Sequence, residues 1–147
     1  MHKRLGVVDD ENQDLLALFE SGIKQRQWAT IEGSVFPVLP PLFNGLVLIF
    51  HINQHLRSGL GLRQIIDWMM FADKCLTDEK WAEFEEMVTL TGLKRLAVTT
   101  TRMCEIYLGL SAHKWCRGSD EKLCRDLMEY IMKCGNFGIK LNQTDTV

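Results

Sequence analysis

Apolar residues recur along most of this chain at three- and four-residue spacing, which is the spacing of one face of an α-helix. Helix boundaries are predicted at the glycine-rich turn of residues 59–61 and at Thr77, a good N-cap residue. Two short apolar segments on either side of Gly33 instead predict a hairpin. We therefore predict a mainly α fold, a compact bundle of about five to six helices with a small β-hairpin near residues 28–38. The pattern shows no internal boundary, so one helical domain is expected over residues 1–147.

One segment concentrates the candidate chemistry. Residues 46–50 are apolar around the whole helical circumference, which is typical of a buried helix. His51 and His55 follow, and because they are four residues apart they share one helix face. Beyond the glycine turn, the next helix carries Arg63 and Asp67, again four residues apart. The turn could fold this second pair back toward the histidines, so these four residues are the candidate site.

Residue types exclude the commonest metal-enzyme interpretations of the two histidines. A zinc protease helix needs His-Glu-x-x-His, but Ile52 occupies the glutamate position, and no histidine is followed by the aspartate of a metal-dependent phosphohydrolase. The five cysteines include no closely spaced pair for structural zinc. We predict no metal ligands in this chain. Two interpretations stay open: the histidines bind a ligand, or they lie at the core edge, hydrogen-bonded to backbone or to Asp67.

Composition narrows the possible partners. The net charge is −2 with 24% charged residues, so no general electrostatic footprint for nucleic acid or an anionic membrane is present. No apolar run approaches the length of a membrane span, and a cytoplasmic location is expected. The scattered cysteines fit reduced thiols that pack as small core residues. The helical stripes also place four large side chains in the core: Trp68, Phe71, Trp81 and Met103.

The adjacent cations Lys94 and Arg95 stand at a predicted helix start. The helix dipole disfavours positive charge there. Either the pair is positioned for an acidic partner, or it belongs to an ordinary solvated face.

Several short motifs occur in order along most of the chain. They are Val38-Leu39-Pro40-Pro41, Phe43-Asn44, His51-x-x-x-His55, Gly61-Leu62-Arg63-Gln64, Asp67-Trp68, Asp78-x-x-Trp81, Gly92-Leu93-Lys94-Arg95, Tyr107-Leu108-Gly109-Leu110 and Gly135-Asn136-Phe137-Gly138. Their order resembles the C-terminal half of the uncharacterised nucleotidyltransferase family found in many bacteria.

The resemblance implies that catalysis belongs to a part of the family that this chain lacks. A Gly-Ser turn followed by an Asp-x-Asp pair, with a third carboxylate on a later strand, would hold divalent metal (Mg) between a nucleoside triphosphate and the attacking group. Gly33-Ser34 has no Asp-x-Asp downstream. Residues 1–4 resemble the tail of the family's strand pattern acidic-x-His-aromatic-Arg, whose acidic residue would fall just before residue 1. We therefore expect a fragment of a longer nucleotidyltransferase-like protein that does not transfer nucleotides alone.

Within that resemblance, the chain is expected to be the helical substrate- or nucleotide-side module. His51, His55, Arg63 and Asp67 would line the cleft facing the missing nucleotidyltransferase half. Arg63 would meet phosphate or another anion through its planar fork of donors, and Asp67 would orient an imidazole or the arginine. The ligand would be a small molecule or nucleotide. The alternative is a non-catalytic helical protein–protein interaction module, whose partner could be a second copy of the chain.

Overall fold

A computed structural model describes residues 12–134 of the chain, without the side chain of Cys134. Six helices and one two-stranded sheet follow in the order α1 (Gln13–Lys24), β1 (Gln27–Ile31), β2 (Ser34–Val38), α2 (Pro41–Ser58), α3 (Leu62–Cys75), α4 (Asp78–Thr91), α5 (Lys94–Tyr107), a 3-10 turn (Lys114–Cys116) and α6 (Glu121–Cys134). The predicted mainly α fold, with its small hairpin, is confirmed. Every helix in this range is too short or too polar to cross a bilayer.

Side-chain caps set three of the helix starts. The Asn12 side chain accepts a hydrogen bond from the Leu15 N–H (3.0 Å) and begins α1. Thr77 caps α4 as predicted, accepting from the Lys80 N–H at 3.2 Å. Asp120 Oδ1 accepts from two N–H groups in the first turn of α6. Each of these bonds satisfies a donor that has no acceptor inside its own helix.

The core centres on aromatic rings from α3 and α4. The Phe71 ring lies 5.4 Å from that of Trp68 and 5.8 Å from that of Phe84, between ring centroids. The Trp68 indole N–H, fully buried, donates to the Thr101 hydroxyl of α5 at 2.8 Å, which satisfies the polar group of that ring. The four side chains predicted for the core are buried.

Helix α2 can approach this aromatic cluster because Gly45 has no side chain. Gly45 is buried, and a methyl group built there would overlap Cζ and Cε2 of Phe71 and lie 2.9 Å from Cε1. The Phe71 ring therefore packs directly on the α2 backbone. Near the C-terminal end of α2, the Tyr130 hydroxyl of α6 donates to the Leu56 carbonyl at 2.6 Å. Together these contacts hold α2 between its neighbours.

The hairpin is the least covered element. Its strands pair antiparallel with Trp28 opposite Pro37, and both turn residues, Glu32 and Gly33, have positive φ, as a two-residue primed turn requires. Every residue of β2 is exposed, and no helix of the described chain packs extensively on either strand. Five large apolar side chains are consequently exposed on it: Trp28, Ile31, Val35, Phe36 and Val38.

Candidate functional site

The four candidate residues lie on the helical hairpin formed by α2 and α3. Gly59, with φ 111°, allows the chain to leave α2 and reverse within three residues, and α3 begins at Leu62 as predicted. His51 and His55 stand on successive turns of α2, and Arg63 and Asp67 on successive turns of α3. The two helices pack against each other along this hairpin.

All four side chains have access to solvent. His51, Arg63 and Asp67 are exposed, and His55 is half-buried. Within residues 12–134, none of the four side chains makes a hydrogen bond or an ion pair, either with one another or with a further residue. A bond from a histidine to Asp67 or to backbone, which is one of the two open interpretations, is not formed among the described residues. The arrangement leaves their donors and acceptors available to a ligand.

One expectation about α2 is wrong. The apolar residues ahead of His51 do not bury the helix all round, because α2 buries one face and leaves Val47, Leu48 and Phe50 half-buried. The buried polar residue of this helix is Asn53, 1% exposed, and not a histidine. Periodicity could not select the buried face, since nearly every position of that stretch is apolar.

The start of α3 adds backbone donors beside Arg63. Its N-cap residue is Gly61, so no side chain caps its first turn. The Oε1 atom of Gln64, an acceptor in the same turn, is enclosed and has no hydrogen-bond partner within residues 12–134. Uncapped N–H groups at a helix start carry partial positive charge and favour an anion. Arg63 extends from this turn.

A second polar cluster was not predicted from the sequence. The carboxylate of Glu105, whose side chain is 4% exposed, accepts hydrogen bonds from Arg102 Nη1 (2.9 Å), the His113 backbone N–H (2.7 Å) and Cys116 Sγ (3.0 Å). The His113 ring approaches the same carboxylate, with Nδ1 at 3.4 Å. The donors lie up to eleven residues away across a loop, a separation at which helical spacing carries no signal.

The chemistry of this cluster favours a structural role. Burial raises the pKa of the Cys116 thiol far above its ordinary value, and the hydrogen bond to Glu105 raises it further. Burial likewise raises the pKa of Cys104 to about 12. A protonated thiol is a poor nucleophile and metal ligand. The four cysteines whose side chains are described are free, as predicted, and three of them are buried.

Two grooves lie apart from the candidate residues. One, of about 690 Å³, is mostly apolar and runs between α1, α3, α4 and the start of α2, with Leu18, Phe43, Cys75, Met87 and Leu90 in its wall. The other, of about 720 Å³, lies between the starts of α5 and α6. No group of three or more histidine, cysteine or acidic residues in the described part of the chain could hold a metal ion.

Neither Gly-Ser dipeptide forms the catalytic turn implied by the resemblance. Gly33-Ser34 lies in the β-hairpin turn, and Gly118-Ser119 precedes α6. No Asp-x-Asp pair follows either of them, and the chain contains none.

Comparison with known proteins gives one result. The model of a family described as uncharacterised nucleotidyltransferase matches residues 1–109, which include the α2–α3 hairpin. No curated protein and no solved structure was found to match the chain.

Proposed function

We propose that this chain is the helical substrate- or nucleotide-side module of a nucleotidyltransferase-like protein. The chain belongs to the uncharacterised nucleotidyltransferase family. One observation carries the proposal: within residues 12–134, no hydrogen bond or ion pair engages the side chains of His51, His55, Arg63 and Asp67 on the α2–α3 hairpin. Because His51, Arg63 and Asp67 are exposed, water hydrates their polar groups, and a ligand can replace that water without breaking a contact within the protein. Four polar groups held on rigid helices without partners are suited to recognition.

The residue types indicate a role for each side chain. Arg63, at the uncapped start of α3, binds a phosphate or another anion, and Asp67 on the next turn orients it or an imidazole. The catalytic carboxylates, with the magnesium and nucleoside triphosphate that they would hold, belong to a second half that docks on this face. The chain has no Asp-x-Asp pair with which to do that work itself.

The chain alone should therefore show no nucleotide transfer. We expect the purified chain to release no pyrophosphate when it is incubated with magnesium and each of the common nucleoside triphosphates. Acceptor protein or small molecules are included in the incubation. Release of pyrophosphate at a rate that scales with the amount of purified chain would overturn this part of the proposal.

The role of Arg63 can be tested in the complete protein, assembled with its catalytic half. Arg63→Ala should weaken binding of the nucleoside triphosphate by about tenfold, the loss expected for one charge-assisted hydrogen-bonding partner. The melting temperature should not change, because Arg63 is exposed and unpaired. Arg57→Ala is the matched control, an exposed arginine in the last turn of α2. Equal effects of the two substitutions, or a loss of folding with Arg63→Ala, would contradict the assignment.

A second candidate function is protein–protein interaction through the β-hairpin. The large apolar side chains exposed on both faces of the hairpin favour this function. An isolated two-stranded hairpin is only marginally stable, and no residue of either strand carries a charge that would oppose pairing. On this alternative, two copies of the chain pair through their hairpins. Sedimentation should then show a dimer that Trp28→Ser and Phe36→Ser disrupt. A strict monomer at high concentration would contradict the alternative.

A further inference from the structure

The groove between the starts of α5 and α6, called here the α5–α6 groove, lies outside the surface assigned above. Its wall carries three cations and one carboxylate, and it is lined by Lys94, Arg95, Val98, Thr99, Gly118, Ser119, Asp120, Lys122 and Leu123. The Asp120 carboxylate is engaged as the cap of α6, accepting from the Lys122 N–H at 2.9 Å and the Leu123 N–H at 3.3 Å. The carboxylate keeps its charge, but three cations outnumber it, so the net formal charge of the groove wall is positive.

Two helix N-termini meet at this groove. No side chain caps α5, whose N-cap residue is Leu93. The first turn of α5 nevertheless carries Lys94, where the helix dipole disfavours a cation. Glu85 of α4 compensates part of that charge, with its carboxylate 2.8 Å from Lys94 Nζ. Uncapped N–H groups and surrounding cations both favour a negatively charged occupant.

An independent observation comes from Thr99. Its side chain lines the groove and is only 2% exposed, yet its hydroxyl makes no hydrogen bond within residues 12–134. The neighbouring Thr100 hydroxyl also has no partner in the described part of the chain, but it is completely enclosed and is not part of the groove wall. The Thr99 hydroxyl is not among the fully enclosed atoms without a partner, so it reaches the groove, where water or a ligand can accept its hydrogen bond. At Thr99, a ligand in the groove would supply the missing acceptor.

We propose that the α5–α6 groove binds a small phosphorylated anion. The Thr99 hydroxyl donates to a phosphate oxygen, the first turn of α5 offers its N–H groups, and Lys122 contributes charge from the rim. Phosphate suits this set because several oxygens can accept at once from convergent donors. The proposal does not depend on the role assigned to Arg63, which lies in the first turn of a different helix.

Pyrophosphate is a suitable probe for the isolated chain, because it carries the proposed group with nothing else attached. Titration into ¹⁵N-labelled protein should shift the amide resonances of the first turns of α5 and α6. Thr99→Val should weaken pyrophosphate binding about tenfold, since it removes one hydrogen bond to a charged group. Thr99→Ser, which keeps the hydroxyl, should retain most of the affinity. Thr99→Val should melt no lower than the parent chain, because no hydrogen bond is lost without the ligand.

Matched controls separate this site from general attraction of anions. Thr100→Val changes the adjacent buried hydroxyl and should leave binding unchanged. Lys122→Gln at the groove should weaken binding, whereas Lys133→Gln, at the other end of α6, should not. Arg63→Ala should also have no effect, so this site and the α2–α3 surface can fail separately. Absence of binding, resonance shifts elsewhere, or equal affinity of Thr99→Val and Thr100→Val would overturn the proposal.

Discussion

Replacing Gly45 by alanine should destabilise the protein, although alanine is the better helix former. In an exposed helix the change stabilises by about 1 kcal/mol, because glycine loses more backbone freedom on folding. At Gly45 the added methyl group would overlap the Phe71 ring edge. The outcome depends on whether that ring can move away.

The surroundings of Phe71 oppose such a movement. The ring is 8% exposed and stands between Trp68 and Phe84, with centroids 5.4 Å and 5.8 Å away. Overpacking of a filled core costs about 1–3 kcal/mol, and more where the neighbours are rigid. Because two rings flank Phe71, we expect the overpacking cost at Gly45 to lie at the upper end of this range, at about 3 kcal/mol. After subtraction of the helix gain, Gly45→Ala should lower the free energy of unfolding by about 2 kcal/mol.

Urea unfolding followed by tryptophan fluorescence and thermal unfolding followed by circular dichroism would measure this loss. For a chain of this size about 2 kcal/mol corresponds to a decrease in Tm of about 4–8 °C. Gly118→Ala is the control, because a methyl group there would meet nothing within 4 Å. In a Phe71→Leu background, which opens space beside α2, Gly45→Ala should cost little. A Gly45→Ala protein that is more stable than its parent would refute the packing argument.

Glu105→Ala should lower the free energy of unfolding by about 3 kcal/mol or more, because it leaves three donors without their buried acceptor. Denaturant titration measures this loss, and an unchanged midpoint would contradict the prediction. The stability should also fall as pH rises from 9.0 toward about 12, since Cys104 ionises in the unfolded chain while its raised pKa keeps it protonated in the fold. Cys104→Ala should flatten this decline, and identical pH profiles would exclude the thiol as its source. In a Cys134→Ser background, Cys75 should be the thiol that reacts fastest with a disulfide reagent at pH 8, because it is the half-buried one; equal rates at all four thiols would contradict the burial.

Local sequence signals were sufficient for most of the helix boundaries. Thr77 caps α4, Gly92 follows its last residue, and Gly59 provides the reversal between α2 and α3. These features act within a few residues of each other, so spacing alone reveals them. The start of α1 is set by Asn12, whose side chain caps it. The motif of residues 135–138 and the pattern of residues 1–4 lie outside the described residues.

Tertiary packing decided what local signals could not. The sequence predicts His51 and His55 on one helix face, but only the packing of α1, α3, α4 and α5 on α2 determines which face of α2 is covered. The partners of Glu105 are joined across a loop whose course no periodicity predicts. For the same reason Thr99 and Lys122, twenty-three residues apart in the numbering, could not be assigned to one groove. The sequence shows that Lys94 and Arg95 are adjacent cations at a helix start, but it does not show that Thr99 and Lys122 lie in the same groove.

The hydrogen bonds of Glu105 also show that the packed structure extends beyond the part of the chain that matches the family. The family match ends at residue 109, yet the backbone of His113 and the thiol of Cys116 complete the hydrogen bonding of a side chain inside that match. Trp115 stacks on Trp81 with 4.1 Å between ring centroids, again across the limit of the match. A polypeptide cut where the family resemblance stops would leave a carboxylate in the interior without two of its donors and an indole face uncovered. The segment after residue 109 is therefore a working part of the scaffold that presents the family's helices.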